Sequence, residues 1–284
     1  MLLILSMALL SCDPGVDIEN ISPGKLLAVS CFIGPQDTVF TAYVFRGSPM
    51  RSTVNTDSAA VKDALVTISD GLSFDTLYLT YVIHPNNGRK RYRYEGKKKN
   101  VTVTTNSTYF LDVQTSSGDH VTSSCVIPPI AGIPIIDGVR ENDGYKFSVS
   151  WDNPRLYEYF TLLLDAEGTY EITTPAGTFT YDIRAYFSTP VDFPSNAQAG
   201  SNLYEGIVFN AYRAENPLLR VTVRHIDEDT YRYFKSFQRY EQWNTNNTGN
   251  VFPNLQELPM IYSNIQGGAG IFGGYNQSTV EVKL

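Results

Sequence analysis

Histidine and cysteine are scarce in this chain, and no sequence motif of a catalytic or metal site is present. Three of the 284 residues are His and three are Cys. His84 and His120 stand apart from other ligand residues, and no Gly-x-Ser-x-Gly motif occurs. His225 lies beside Asp227 and Asp229, where helix capping explains the acids more simply than a metal does. We therefore expect no metal, no cofactor and no enzymatic activity, and a hydrolase with a site assembled from distant strands is the remaining enzyme hypothesis.

Positive charge is also limited. The formal net charge is -7 and the isoelectric point is about 5.0, which argues against nucleic acid as a main partner. The exception is residues 89–99, which hold seven basic side chains: Arg89, Lys90, Arg91, Arg93, Lys97, Lys98 and Lys99. Such a cluster at a hairpin tip is either a solvated surface or a contact site for an anion or an acidic partner.

Long hydrophobic runs are absent, and the longest candidate is too short to span a bilayer. Residues 2–10 are an apolar run that ends at Ser11-Cys12, which is typical of a bacterial lipoprotein signal. We predict a signal peptide over 1–11, acylation of Cys12 and a tether over 12–24. The alternative is a buried N-terminal strand that ends in Cys. No Lys or Arg precedes the run, which leaves open a start upstream of Met1.

Aromatic residues are abundant, with 19 Tyr and 15 Phe, whereas only 18% of the chain is charged. This composition favours strands over helices. Short apolar–polar alternations predict an immunoglobulin- or fibronectin-III-like β-sandwich over 25–130, and the segment around Tyr109 resembles a tyrosine corner. The predicted strands are 27–33, 38–46, 64–69, 76–83, 101–104, 109–115 and 120–127.

A second β domain is predicted over 131–284, after the break at Pro128-Pro129. Its predicted strands are 145–151, 159–164, 204–211, 218–225 and 278–284, with one or two more between 168 and 200. A helix is expected at about 229–243, because acids crowd its start and aromatic residues recur every three positions from Phe234 to Trp243. The predicted fold is mainly β, with two β-sandwich-like domains and one helix in the second.

The cysteine count suggests a bridge. If Cys12 carries lipid, Cys31 and Cys125 remain as one pair in an oxidising compartment, and we predict a disulfide between them. The alternative is two separately buried thiols.

A glycine-rich segment precedes the C-terminus and contains Gly267, Gly268, Gly270, Gly273 and Gly274. It matches a dinucleotide fingerprint in spacing alone, because too little chain follows for the required helix and acidic residue. We interpret it as structural, with glycines that allow a sharp turn or a close approach to another strand.

Several stretches together resemble a Bacteroidota outer-membrane lipoprotein family of unknown function (DUF4249-like). The matching stretches are the Cys12 lipobox and residues 31–38, 63–71, 124–128 and 262–275. The resemblance implies an outer-membrane lipoprotein with an immunoglobulin-like N-terminal part, often encoded beside TonB-dependent transporters, and it supplies no catalytic residues.

The expected function is therefore a lipid-anchored, non-enzymatic accessory or ligand-capture subunit beside a TonB-dependent transporter, with an unknown ligand. The alternative is a surface adhesin or glycan-binding module, since exposed aromatic rings stack on sugars. Location at the outer membrane is expected, and the sequence leaves open whether the protein faces the periplasm or the cell surface.

Overall fold

The computed structural model describes residues 26–47, 59–84, 88–141, 144–152, 158–175, 177–191, 202–209, 215–247 and 259–283. The signal peptide over 1–11, Cys12 and the tether over 12–24 lie outside the described residues. The lipid anchor therefore stays a prediction.

The described residues form a mainly β structure with one long helix. The elements in chain order are β1 (Leu27–Ile33), β2 (Val39–Arg46), β3 (Ala64–Ser69), β4 (Phe74–Ile83), β5 (Lys90–Lys97), β6 (Thr108–Thr115), β7 (His120–Val126), β8 (Ile135–Glu141), β9 (Gly144–Trp151), β10 (Tyr159–Thr174), β11 (Gly177–Val191), β12 (Asn202–Phe209), β13 (Glu215–Ile226), α1 (Glu228–Asn247) and β14 (Ala269–Lys283). The mainly β prediction with a helix in the C-terminal part is confirmed.

Strand alternation sets the inside and outside of the sheet. In β1 the side chains of Leu27, Val29, Cys31 and Ile33 are buried, and the residues between them are partly exposed. Burial of one such aliphatic side chain stabilises the fold by about 1.5–3 kcal/mol. The alternation of period two therefore fixes which residues of each N-terminal strand enter the core.

Among the described residues, eleven strands form one continuous sheet and three form a second. The order of the large sheet is β11-β10-β13-β14-β1-β2-β5-β4-β3-β6-β7, and that of the small sheet is β12-β9-β8. Buried side chains fall into two separate hydrophobic clusters, one within residues 27–127 with Ile265 and Phe272, and one within residues 131–223. The predicted domain boundary near residue 130 itself stays a prediction.

Strand β14 belongs to both parts of the large sheet. Its first half pairs in parallel with β1, from Ala28 opposite Ala269 to Ile33 opposite Gly274. Its second half pairs antiparallel with β13, from Ile226 opposite Tyr275 to Leu218 opposite Lys283. Strand β14 therefore joins β1 to the C-terminal part of the fold.

Helix α1 is longer than the predicted 229–243 and begins one residue earlier. The carboxylate of Asp227 accepts a hydrogen bond from the backbone N of Thr230 at 2.8 Å, which is a helix N-cap. Its other oxygen accepts from the backbone N of Gly274 at 2.8 Å. One carboxylate therefore caps the helix and attaches it to β14.

The sequence patterns missed some strands. Residues 101–104, predicted as a strand, are irregular, whereas β5 and β8 were not predicted. β5 lies within the basic cluster, where Lys and Arg obscure the buried positions Tyr94 and Gly96. Between residues 168 and 200 the sequence predicted one or two strands without placing them. This region contains the end of β10 and strand β11, which form a long hairpin.

The predicted disulfide between Cys31 and Cys125 is wrong, because both thiols are free and buried. Cys31 lies on β1, which pairs with β14 and β2, whereas Cys125 lies on β7, which pairs with β6. Burial raises the pKa of both thiols. The two side chains act as small hydrophobic residues of one cluster.

Candidate functional site

The basic cluster of residues 89–99 is mostly a strand rather than a hairpin tip. On β5, Arg91 and Arg93 alternate with the buried side of the strand and point away from the core beside β2. Lys90 lies over the ring of Tyr81, with Nζ 4.4 Å from the ring centroid. The basic side chains of the cluster therefore do not form one common surface.

Lys98 has a structural role. Its Nζ donates hydrogen bonds to the backbone oxygens of Gly34 at 3.0 Å and Pro35 at 3.3 Å, in the turn between β1 and β2. Burial lowers the pKa of Lys98. This lysine fastens a turn, whereas Lys97 and Lys99 are exposed.

Arg91 and Arg93 line a groove of about 730 Å³ together with Arg224 of β13. We call it the arginine groove. One wall is the outer face of β1, β2 and β5, and the other includes β10, β13, β14 and the start of α1. The continuous sheet explains the arrangement, because β14 brings the C-terminal strands next to β1.

Aromatic side chains form much of the groove walls. The rings of Tyr43 and Phe45 on β2 are nearly parallel, at 6° and 6.2 Å between centroids. Phe32 of β1 stacks on Phe234 of α1 at 5.7 Å, which links the helix to the N-terminal strands. The rings on β1 and β2 are partly exposed and alternate with core residues of the same strands.

Two of the three arginines lie over aromatic rings. The guanidinium carbon of Arg91 is 4.6 Å from the centroid of Tyr43, and that of Arg224 is 4.5 Å from the centroid of Tyr275. Such cation–π contacts favour a fixed position of the guanidinium. Because the ring covers one face of the group, its N–H edges remain available to a carboxylate or another oxyanion.

Arg93 contacts the neighbouring acid of its own strand. Its Nη2 is 2.6 Å from Oε1 of Glu95. Its Nε is buried and has no hydrogen-bond partner within the described ranges. A buried N–H without an acceptor is unfavourable, so one donor of the Arg93 guanidinium is unused in this arrangement.

Asp37 is the acid that lines the arginine groove, and its carboxylate already accepts hydrogen bonds. It accepts hydrogen bonds from the backbone N of Gly34 at 2.7 Å and from the hydroxyl of Tyr275. Burial, and then the charge of Asp37, raise the pKa of Tyr275. The two acids, Asp37 and Glu95, leave three arginines with an excess of positive charge.

A second cavity of about 700 Å³ lies beside β4 and includes Lys97 and Lys99. Its buried acid, Asp75, accepts hydrogen bonds from the backbone N of Lys99, Asn100 and Val101 at 3.0 to 3.2 Å. This carboxylate therefore holds the loop after β5 and has little capacity left for a ligand.

The histidines occupy separate places. His120 Nε2 lies 2.6 Å from Oδ2 of Asp112, His84 is exposed, and His225 is buried with Nδ1 2.9 Å from the backbone oxygen of Pro129. In the part of the chain that the structure describes, no group of three or more His, Cys, Asp or Glu is placed to hold a metal ion.

The glycine-rich segment lies at the start of β14 and packs closely against other strands. A Cβ at Gly268 would lie 2.6 Å from the backbone oxygen of Leu27, and one at Gly274 would lie 2.3 Å from that of Val126. Gly267 has a φ of +77°. A Cβ at Gly273 would lie 2.0 Å from Oγ1 of Thr230 in α1.

Tyr109 makes the contacts of a tyrosine corner. Its hydroxyl donates to the backbone oxygen of Thr102 at 2.8 Å and accepts from the backbone N of Thr104 at 2.7 Å. These bonds hold the irregular segment before β6.

Sequence reasoning missed Tyr43, Phe45, Arg224 and Tyr275. A signal was present in β2, where Phe40, Ala42 and Val44 are buried and two of the alternate positions, Tyr43 and Phe45, are aromatic. Large rings on both faces of a strand indicate a second contact surface. No such signal marks Arg224, since only the pairing of β13 with β14 brings it to the groove.

No helix among the described residues has the length and hydrophobicity needed to cross a membrane.

Comparison with known proteins identifies the family of the chain. The search of curated proteins finds no match for the chain. The family model described as "Domain of unknown function (DUF4249)" matches residues 15–281, and the chain therefore belongs to this family.

Proposed function

We propose that this protein is a lipid-anchored, non-enzymatic subunit of the outer membrane that captures a ligand beside a TonB-dependent transporter. The lipobox at Cys12 supports the anchor, and the family resemblance of the sequence supports the transporter as partner. The anchored form holds the β structure close to the membrane.

The arginine groove is the observation that carries the capture role. Its volume of about 730 Å³ lies within the range of about 300–1,000 Å³ that is common for small-molecule sites. It combines aromatic walls with three arginines, and such a combination suits binding through stacking and charge.

The groove chemistry favours binding over catalysis. Asp37 accepts two hydrogen bonds and Glu95 pairs with Arg93. Catalysis by general acid and base needs carboxylates or histidines within reach of a substrate proton. The arginines instead suit recognition of a fixed negative charge.

Purification from native membranes tests the proposed partnership. The tagged protein is extracted in mild detergent at several salt concentrations and analysed by mass spectrometry. We expect an acylated Cys12 and a co-purifying TonB-dependent transporter. A matched Cys12→Ser variant is expected to leave the membrane fraction and to lose the transporter. An unmodified N-terminus, or no transporter at any salt concentration, contradicts the proposal.

A surface adhesin or glycan-binding module is the alternative function. The parallel rings of Tyr43 and Phe45 in the groove favour it, because such rings stack on the apolar faces of sugars. A glycan array together with the membrane purification separates the two functions. Binding to surface glycans without an attached transporter supports the alternative.

A further inference from the structure

We propose that the arginine groove binds an acidic saccharide, with the sugar ring against Tyr43 and Phe45 and the carboxylate on Arg91 and Arg93. This inference rests on the proposed capture function and names its ligand class. The charge of the groove, the geometry of its arginines and the polarity of its walls support this ligand class.

The arginine groove is locally positive, although the protein as a whole is acidic. The chain carries a net charge of -7, yet Arg91, Arg93 and Arg224 meet in one concave surface. Asp37 is held by Gly34 and Tyr275, and Glu95 neutralises only one arginine. A ligand that enters this groove therefore binds more strongly if it carries a negative charge.

The arginines are held in positions that suit a carboxylate. Arg91 lies over Tyr43 and Arg224 lies over Tyr275, so each guanidinium has one covered face. Arg224 also donates from Nε to Oε1 of Gln277 at 2.7 Å. Arg93 lines the same surface, and its Nη2 is paired with Glu95. A planar carboxylate matches the paired N–H groups of a guanidinium.

The walls favour a saccharide over an apolar ligand. The hydroxyl residues Ser30, Thr41 and Thr161 line the groove between its aromatic side chains. A lipid chain would leave these polar groups without partners, which is unfavourable. A sugar ring has an apolar face for stacking and hydroxyls for hydrogen bonds, so it fits both features.

Calorimetric titration of the full protein with an oligouronate, its neutral methyl ester and a glutamate-rich peptide tests the proposal. We expect the oligouronate to bind and the two other compounds to bind at least about tenfold more weakly, because they lack either the charge or the rings. Equal binding of the ester, or equal binding of the peptide, overturns the saccharide assignment.

Two matched charge variants locate the site. Arg91→Gln removes a groove cation that lies on the surface of β5, and Lys97→Gln removes a cation of the same strand outside the groove. Arg91→Gln is expected to weaken oligouronate binding by about ten- to a hundredfold, and Lys97→Gln by less than about twofold. Equal losses in the two variants overturn the site. A thermal melt of each variant verifies that it is folded.

The outcomes for function and for ligand are separate. If the transporter co-purifies but the oligouronate does not bind, only the ligand assignment fails. If the oligouronate binds in the groove and no transporter co-purifies, only the proposed function fails.

Discussion

The hydroxyl of Tyr275 donates a hydrogen bond to the carboxylate of Asp37, although 238 positions separate the two residues. Asp37 lies in the turn between β1 and β2, and Tyr275 is the residue at which β14 changes its partner from β1 to β13. The ring of Tyr275 also packs under Gly34, where an added Cβ would lie 2.7 Å from it. One side chain thus joins the turn between β1 and β2 to β14.

Replacing Tyr275 by Phe keeps the ring and removes this hydrogen bond. We expect the free energy of unfolding to fall by about 1–2 kcal/mol, because Asp37 loses a donor in a partly buried place. Denaturant unfolding measures the change. Tyr78→Phe is the matched control, since Tyr78 is 70% exposed, and its effect is expected below about 0.5 kcal/mol. Equal effects of the two variants contradict the role of the contact.

The same tyrosine predicts a pH dependence. Burial and the charge of Asp37 raise the pKa of Tyr275 above its ordinary value of 10.0. The folded protein therefore keeps this proton at a pH where the unfolded chain releases it. The stabilising contribution is complete below pH 10 and is lost as the pH rises above it. Tyr275→Phe is expected to show a shallower fall of stability above pH 10, and an unchanged slope would argue against the contact.

Asp227→Ala tests the junction between α1 and β14. The variant removes the acceptor for the backbone N of Thr230 and of Gly274. We expect a loss of about 1–3 kcal/mol in the free energy of unfolding. Glu228→Ala is the control, because it removes a neighbouring acid of the same helix start whose ion pair with Arg232 is exposed and is worth about 0.3–0.5 kcal/mol. Similar losses for both variants, measured by chemical denaturation, contradict the junction.

Gly270→Ala and Gly118→Ala separate close packing from backbone strain. Both glycines have positive φ, at +113° and +89°. A Cβ at Gly270 would lie 1.9 Å from the backbone oxygen of Val29, whereas one at Gly118 has nothing within 4 Å. We expect Gly270→Ala to abolish folding or to lower the melting temperature strongly, and Gly118→Ala to cost only about 1–2 kcal/mol. A well-folded Gly270→Ala protein would refute the parallel pairing of β14 with β1.

The free thiols of Cys31 and Cys125 predict the outcome of a thiol assay. Both side chains are buried and burial raises their pKa, so neither is expected to react while the protein is folded. After denaturation without a reducing agent, both are expected to react. If these two cysteines remain unreactive in the unfolded chain, they are bridged and the free-thiol state is incorrect.

Local patterns predicted the elements that depend on local physics. The alternation of apolar and polar residues predicted β1, β3 and β9 to within a residue or two. The acids at its start and the spaced aromatic residues predicted α1. The pattern failed for β5, because its buried side consists of Tyr94 and Gly96 between charged residues. A period-two signal is weak where a strand alternates polar groups with an aromatic residue and a glycine.

The groove was only partly predictable. The sequence singled out Arg91 and Arg93 as contact residues, but it did not indicate Tyr43, Arg224 or Tyr275 as their neighbours. Tyr43 reaches the two arginines through the pairing of β2 with β5. Arg224 and Tyr275 reach them through the pairing of β13 with β14 and of β14 with β1, and only the latter connects positions more than 200 residues apart. The disulfide prediction failed for a related reason, since a cysteine count carries no information on which strands pair.

The parallel pairing of β1 with residues 269–274 also orders events during synthesis. The ribosome makes β1 more than 200 residues before its parallel neighbour, so the edge of β1 has no partner strand on that side until residues 269–274 have emerged. A nascent chain that lacks these residues cannot complete the eleven-stranded sheet. Truncation before residue 269 therefore damages β1 as directly as it damages β14.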